Sequence, residues 1–309
     1  MDNFLVTGAS SGIGRAAALE LDKLGHTVFA AVRKEEDVKI LEQASSDRLM
    51  SIILDLTDEF SIMSVKEEID KKVGTFGLKG LVNNAGITIP GPLEFIPMDI
   101  IREVFEVNLF GAIALTKALL PLLRRGDGRI VNVGYGGSSL PAPLMSTIAS
   151  SKAAFKSFND SLRLELQGIG IKVIMITPGA VQTPGIDKAE TEAKKILKAL
   201  SSYAQKLYGQ SMRYSYSRIF DDKRKGLKSS AVGYLIVNAL TSPFPKNNYI
   251  IGREAKLERF LRRFAPDSII DMIAKSMHYL ESSFDSFTDS SAFTSDSQEP
   301  ENVESINQK

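Results

Sequence analysis

The chain of 309 residues contains no cysteine. That excludes disulfides, thiolate nucleophiles and thiolate metal ligands together. Histidine is nearly absent as well, with only His26 and His278. A Ser-His-Asp triad or a histidine metal site would need one of these beside a partner motif, and neither has one, so no metal site is expected. No apolar run approaches the roughly 20 residues that cross a bilayer. Met1-Asp2-Asn3 passes straight into a strand pattern, without the basic and apolar segments of a signal peptide. A cytoplasmic setting is the expectation.

Excess charge of either sign is also scarce, the formal net charge being +1. Its distribution is uneven. From Glu281 to Lys309, seven acidic residues (Glu281, Asp285, Asp289, Asp296, Glu299, Glu301, Glu304) stand against Lys309 alone, so this tail carries −6 and the rest of the chain +7. A modestly basic body suits a phosphate-bearing ligand or an anionic membrane surface, and no motif points to nucleic acid. Residues 281–309 are Ser- and acid-rich without periodicity, the composition of a disordered tail.

Before that tail, short apolar runs alternate with amphipathic ones. Strands are predicted at Phe4–Thr7, Thr27–Val32, Ser51–Leu54, Gly80–Asn83, Arg129–Val133, Lys172–Thr177 and Tyr249–Ile251. Helices are predicted at Ile13–Leu24, Glu59–Val73, Ile100–Leu123 and Ala149–Leu166. Near-continuous apolar strands separated by helices imply an α/β fold with a parallel sheet covered on both faces, which binds ligands at its strands' carboxyl ends. Residues 183–230 interrupt the rhythm with a long charged insertion, in which Ala189–Tyr208 reads as one helix. Connections of this length usually serve as lids or binding loops, and a substrate lid is expected here. One domain over 1–280 is expected, with helices at 253–280.

The first strand ends in Thr7-Gly8-Ala9-Ser10-Ser11-Gly12-Ile13-Gly14 and opens into a helix. Glycines there let the backbone turn sharply and approach a pyrophosphate resting on the helix N-terminus. The plainer alternative is a purely structural tight turn; the strand–turn–helix context favours the ligand. The pattern points to a Rossmann-type doubly wound sheet that holds a dinucleotide through Gly8, Ser10, Ser11, Gly12, Ile13 and Gly14.

The TGxxxGIG form of the turn, Asp55-Leu56, Asn83-Asn84-Ala85-Gly86, Asn108, Ser151-Lys152 and Pro178-Gly179 with Thr183 follow in an order and spacing that resembles the short-chain dehydrogenase/reductase family. By that resemblance Asp55 and Leu56 meet the adenine, and Asn83, Ala85 and Gly86 form the turn under the cofactor. Lys152 holds the nicotinamide ribose, while Pro178, Gly179 and Thr183 hold the carboxamide. Cofactor choice is read at the end of the second strand. NAD-binding members place an acid there; this chain has Arg33-Lys34, two cations suited to a 2′-phosphate. Their plainer reading is a solvated helix start. NADP(H) is expected in preference to NAD(H).

The same resemblance exposes a departure. Family members pair a tyrosine four residues before the lysine with a serine thirteen residues earlier still. Here those positions hold Ile148 and Tyr135. An alkane has no proton to exchange, so only Asn108, expected to hold a water, and Lys152 remain of the usual four. Three explanations stand open. Tyr135 is a relocated proton donor tuned by Lys152; or a lid tyrosine (Tyr203, Tyr208, Tyr214, Tyr216) or a water completes the site; or carbonyl reduction is lost, leaving a nucleotide sensor, a scaffold or a non-redox enzyme such as an isomerase, lyase or cyclase. If catalytic, the residues are Asn108, Tyr135 and Lys152. The segments Gly91-Pro92-Leu93-Glu94, Val104–Asn108 and Leu257–Pro266 resemble the retinol and hydroxysteroid dehydrogenase branch, which implies a lipophilic alcohol or carbonyl substrate. Arg253–Phe264 reads as a basic amphipathic helix. It is expected to cover its own domain, with peripheral membrane contact as the alternative. A homo-oligomer is implied by analogy through the two long helices.

Overall fold

The structure, a computed structural model, describes residues 1–136 and 142–277. Seven strands form the main sheet: β1 (Asn3–Thr7), β2 (Thr27–Val32), β3 (Leu49–Ile53), β4 (Gly80–Asn83), β5 (Arg129–Val133), β6 (Lys172–Pro178) and β9 (Asn248–Ile251). The short β7 (Val181–Gln182) and β8 (Leu227–Lys228) pair apart from it. The helices are α1 (Gly12–Lys23), α2 (Glu35–Glu42), α3 (Glu59–Val73), α4 (Met98–Phe105), α5 (Gly111–Arg125) and α6 (Ser146–Gln167). They continue with α7 (Gly185–Ala199), α8 (Ser202–Arg224), α9 (Ser229–Thr241), α10 (Arg253–Phe264) and α11 (Asp267–Met277).

The sheet runs β3-β2-β1-β4-β5-β6-β9, parallel throughout. Its strands read as unbroken apolar runs because both faces are buried. Val6, Val28, Ala30, Val131 and Ile174 lie on one face with α1 and α9. Leu5, Phe29, Leu81, Ile130 and Val173 lie on the other with α3, α5 and α6. On the first face the helices meet closely at Gly233, where a Cβ would stand 2.8 Å from that of Ala16. The strand order reverses between β1 and β4, and the crevice at that switch is where such sheets take a ligand.

Three elements differ from expectation. The insertion helix is two helices, α7 and α8, parted at Leu200-Ser201 and closed at the base by the β7–β8 pair. The expected helix 100–123 is a continuous stretch, Met98–Arg125, with a π-turn over Glu106–Phe110 between α4 and α5. This stretch is also long and apolar enough to cross a membrane by length and composition, which corrects the expectation that no segment approaches that limit. Here Leu115, Leu119, Leu122 and Leu123 are fully buried in the sheet's core. Finally, the apolar stripe of α10 does not cover the domain. Leu257, Phe260 and Phe264 are 59%, 60% and 65% exposed, and the helix docks through Ala255 and Glu258 instead. The predicted tail, 281–309, lies outside the described residues, as do 278–280.

Candidate functional site

Gly8 (φ +64°) and Gly12 (φ +56°) occupy the left-handed region that side chains resist, which is why the β1–α1 turn needs glycine there. A Cβ on Gly14 would lie 2.3 Å from the Gly8 carbonyl oxygen, and one on Gly8 2.9 Å from Ala85 Cα. Ser11, extended at the N-cap of α1, makes no side-chain cap bond, so the first amides of the helix keep their donors for a ligand. Ser10, Ser11 and Ile13 are half-buried around this turn. The β1 and β4 ends are locked together by Thr7. Its hydroxyl donates to Val82 O (3.1 Å) and accepts the amides of Asn84 (2.9 Å) and Ala85 (3.1 Å). Asn84 Nδ2 then donates to Thr7 O at 3.0 Å. A pyrophosphate fits this cradle: open helix amides face a surface kept free of side chains.

Asn83, expected as a cofactor contact, is placed otherwise. It is buried below the cradle, where Nδ2 donates to Thr116 Oγ1 (3.0 Å) and Asn132 Oδ1 (2.9 Å). The sequence reading missed Thr7 and Asn84, whose bonds shape the turn. Leu56 is buried too, and a Cβ on Gly111 of α5 would stand 2.4 Å from its carbonyl oxygen. Asp55 accepts the amide (2.8 Å) and hydroxyl (2.7 Å) of Thr57; the amide bond first, and Arg33 nearby, hold its carboxyl below the usual range. Arg33 and Lys34 are both exposed at the end of β2. Thr183 reaches back over the turn, its Cγ2 2.9 Å from where a Gly12 Cβ would be. Pro178 ends β6, and Gly179 N donates to Ile251 O at 2.8 Å, fixing that segment against the edge strand.

The opposite end of the cleft holds Gly86, Asn108 and Lys152 together. A Cβ on Gly86 would lie 3.0 Å from Asn108 Oδ1 and 3.3 Å from Lys152 Nζ. Asn108 sits in the π-turn, a distortion that recurs at functional sites. Its Oδ1 accepts Ile87 N–H (2.8 Å), while Nδ2 donates to Ile87 O (3.0 Å) and Ser151 Oγ (3.2 Å). Both side-chain donors are therefore used on the protein itself rather than on a water, and Ser151 emerges as a supporting residue. Lys152 Nζ donates to Val133 O at 3.4 Å and lies 5.5 Å from the Phe155 ring centre. Burial pushes its ammonium down to about 8. Ile148, one turn earlier on α6 at the position where the family resemblance expects a phenol, is 4% exposed.

Tyr135 lines a cavity together with Lys152. Its hydroxyl is pushed up to about 12, by burial first and then by the negative charge of Glu258 on α10. Tuning toward neutrality would require the reverse. Three of the four tyrosines of the 183–230 insertion are bonded elsewhere. Tyr208 OH donates to Glu94 at 3.1 Å and Tyr216 OH to Pro90 O at 2.9 Å, Tyr214 OH accepts from Arg218 at 3.2 Å, and Tyr203 is exposed. Tyr216 belongs to the lid's own core with Ile186, Met212 and Phe220. A larger open hollow of about 590 Å³, beside Asp22 and Ser46, contains none of these site residues.

The family model for short chain dehydrogenases matches residues 2–194. Rat (Rattus norvegicus) estradiol 17-beta-dehydrogenase 2 is 37% identical over 280 residues, which cover 88% of this chain and 74% of that protein. Retinol dehydrogenase 7 of the same species is 34% identical over 275 residues, 87% of this chain and 86% of that one. A short-chain dehydrogenase structure from Streptomyces avermitilis superposes with a TM-score of 0.70 at 27% identity, covering 89% of this chain and 95% of that one. The seven-stranded parallel sheet, the glycine turn and these likenesses agree: the chain belongs to the short-chain dehydrogenase family of oxidoreductases, among relatives of the steroid and retinol dehydrogenases.

Proposed function

We propose that this chain is an NADP(H)-dependent oxidoreductase acting on a lipophilic alcohol or carbonyl, with Lys152 in place of a tyrosine as its proton source. The observation that carries the reading is the placement of Lys152 Nζ against Gly86 and Asn108, with burial lowering it to about 8. A general acid works best with a pKa near the working pH, and a phenol at about 12 is a poorer match than this ammonium. Arg33 and Lys34 favour the phosphorylated dinucleotide. The bound dinucleotide supplies a hydride. In reduction Lys152 gives one proton to the carbonyl oxygen and becomes a neutral amine, which regains a proton from solvent. Asn108 holds the Ile87 backbone and Ser151 in place beneath it.

Ile148 favours a second reading: binding of the nucleotide without turnover, as in a sensor or scaffold. An NADPH oxidation assay against steroid, retinoid and fatty carbonyls separates the two. The proposal predicts turnover that survives Tyr135→Phe and falls by about 10²–10⁴ in Lys152→Met. Loss of turnover in Tyr135→Phe would restore the relocated phenol. A silent wild type that Ile148→Tyr awakens would establish the non-catalytic reading.

A further inference from the structure

Of one cluster of cations, only Lys152 has a role so far. Beneath α10, against α6, β6 and β9, lies a cavity of about 300 Å³ lined by Lys152, Lys156, Arg259, Arg262 and Arg263. Met175, Ile250 and Ala255 supply an apolar part of its wall. Lys156 pairs with Asp160 at 2.6 Å and Arg262 with Asp267 at 3.1 Å, both at the surface. Among the described residues Arg259 and Arg263 have no ion-pair partner; Arg263 lies 5.6 Å from the Phe264 ring centre.

Glu258, buried four residues before Arg262 and acting on Tyr135 of the same cavity, offsets part of this charge, but helix stability does not call for Arg259 and Arg263. Like charges three and four residues apart on one helix, as at 259, 262 and 263, destabilise it by tenths of a kcal/mol each. Nor does the nucleotide explain the cluster. Arg33 and Lys34 stand at the end of β2, which β1, β4 and β5 separate from β6, about 20 Å away at the usual strand spacing.

We propose that the cavity binds the anionic group of a small amphiphile, a carboxylate or sulfate carried on an apolar stem. Clustered cations raise the local concentration of anions, and an arginine fork can bond two oxygens of a carboxylate or of a tetrahedral oxyanion at once. The apolar wall accepts the stem. The volume is at the low end for ligand pockets, enough for a head group and a short chain rather than a whole large lipid. The site adjoins the catalytic corner through Lys152 and Tyr135, yet the inference concerns binding and holds whether or not the ligand is turned over.

The test is calorimetric titration of the full chain with decanoate, decyl sulfate and decanol below their micelle concentrations. Saturable binding of the two anions and much weaker binding of decanol is expected. Arg259→Gln with Arg263→Gln should weaken anion binding at least about tenfold and leave NADPH affinity unchanged. Lys156→Gln serves as a second probe in the same direction. Equal binding of decanol and decanoate, or undiminished binding by these variants, would overturn the proposal. So would binding to phosphatidylserine vesicles without saturable binding of free decanoate, which would assign the arginines and the exposed Leu257, Phe260 and Phe264 to a membrane contact. A wild type that fails to bind NADPH would defeat the nucleotide reading and leave this one standing.

Discussion

Lys152 carries its ammonium in surroundings that disfavour charge. Its native pKa of about 8 lies below the ordinary 10.5, so the folded chain gives up the proton before the unfolded chain does. The cost of the buried charge is borne in full below about pH 8 and lifts as pH rises toward 10.5. Lys152→Met, which keeps the stem, is therefore expected to unfold at the same or a higher temperature than the wild type at pH 7, with that advantage shrinking by pH 9.5. Melting curves at the two pH values check this; an advantage that grows with pH would contradict it. Arg33 makes the second prediction at this scale. Arg33→Ala should weaken NADPH binding by about ten- to a hundredfold, the worth of a charge-assisted contact, and leave NADH nearly unaffected. Fluorescence titration with both nucleotides reads the difference. At this scale the sequence was informative where chemistry is local. The glycines of the first turn and the Arg33-Lys34 pair announce themselves. Asn83 did not, because whether an asparagine at a strand end faces a ligand or Thr116 depends on the packing of α5.

Among elements, the β1–α1 turn and the β4 end act as one unit through Thr7. Thr7→Val removes the acceptor of two amides, those of Asn84 and Ala85, and is expected to destabilise the fold by about 2–5 kcal/mol with loss of nucleotide affinity. Urea unfolding together with NADPH titration measures both; a stable variant with weakened binding would make Thr7 a local rather than a structural tie. Strand positions were legible because both faces of a parallel sheet demand unbroken apolar runs, and all seven main strands start within two residues of their expected place, the first six at Asn3, Thr27, Leu49, Gly80, Arg129 and Lys172. The seventh, β9, begins at Asn248 beside the expected Tyr249. The α7–α8 break escaped notice because neither glycine nor proline marks Leu200-Ser201. The β7–β8 pair is two residues long on each side, too short for any periodic signal. The outward face of α10 was unreadable for another reason. Amphipathic spacing shows that a helix has an apolar side, but Ala255 and Glu258 decide which side docks.

For the whole molecule, the glycine-turn cradle and the basic cavity lie at the same carboxyl edge of one sheet, while the α7–α8 insertion packs on its own core of Ile186, Met212 and Phe220. Because NADPH would bind only the assembled cleft, saturating it at about a hundred times its Kd should add about 2.7 kcal/mol to stability and raise Tm by several degrees. Arg33 and Lys34 make nucleotide preference the property most open to measurement. Titration of the wild-type chain with NADPH and NADH under identical salt, followed by nucleotide fluorescence, decides it. Saturable binding of both is expected, with NADPH tighter by at least about tenfold. Equal affinities, tighter NADH, or no binding of either would contradict it.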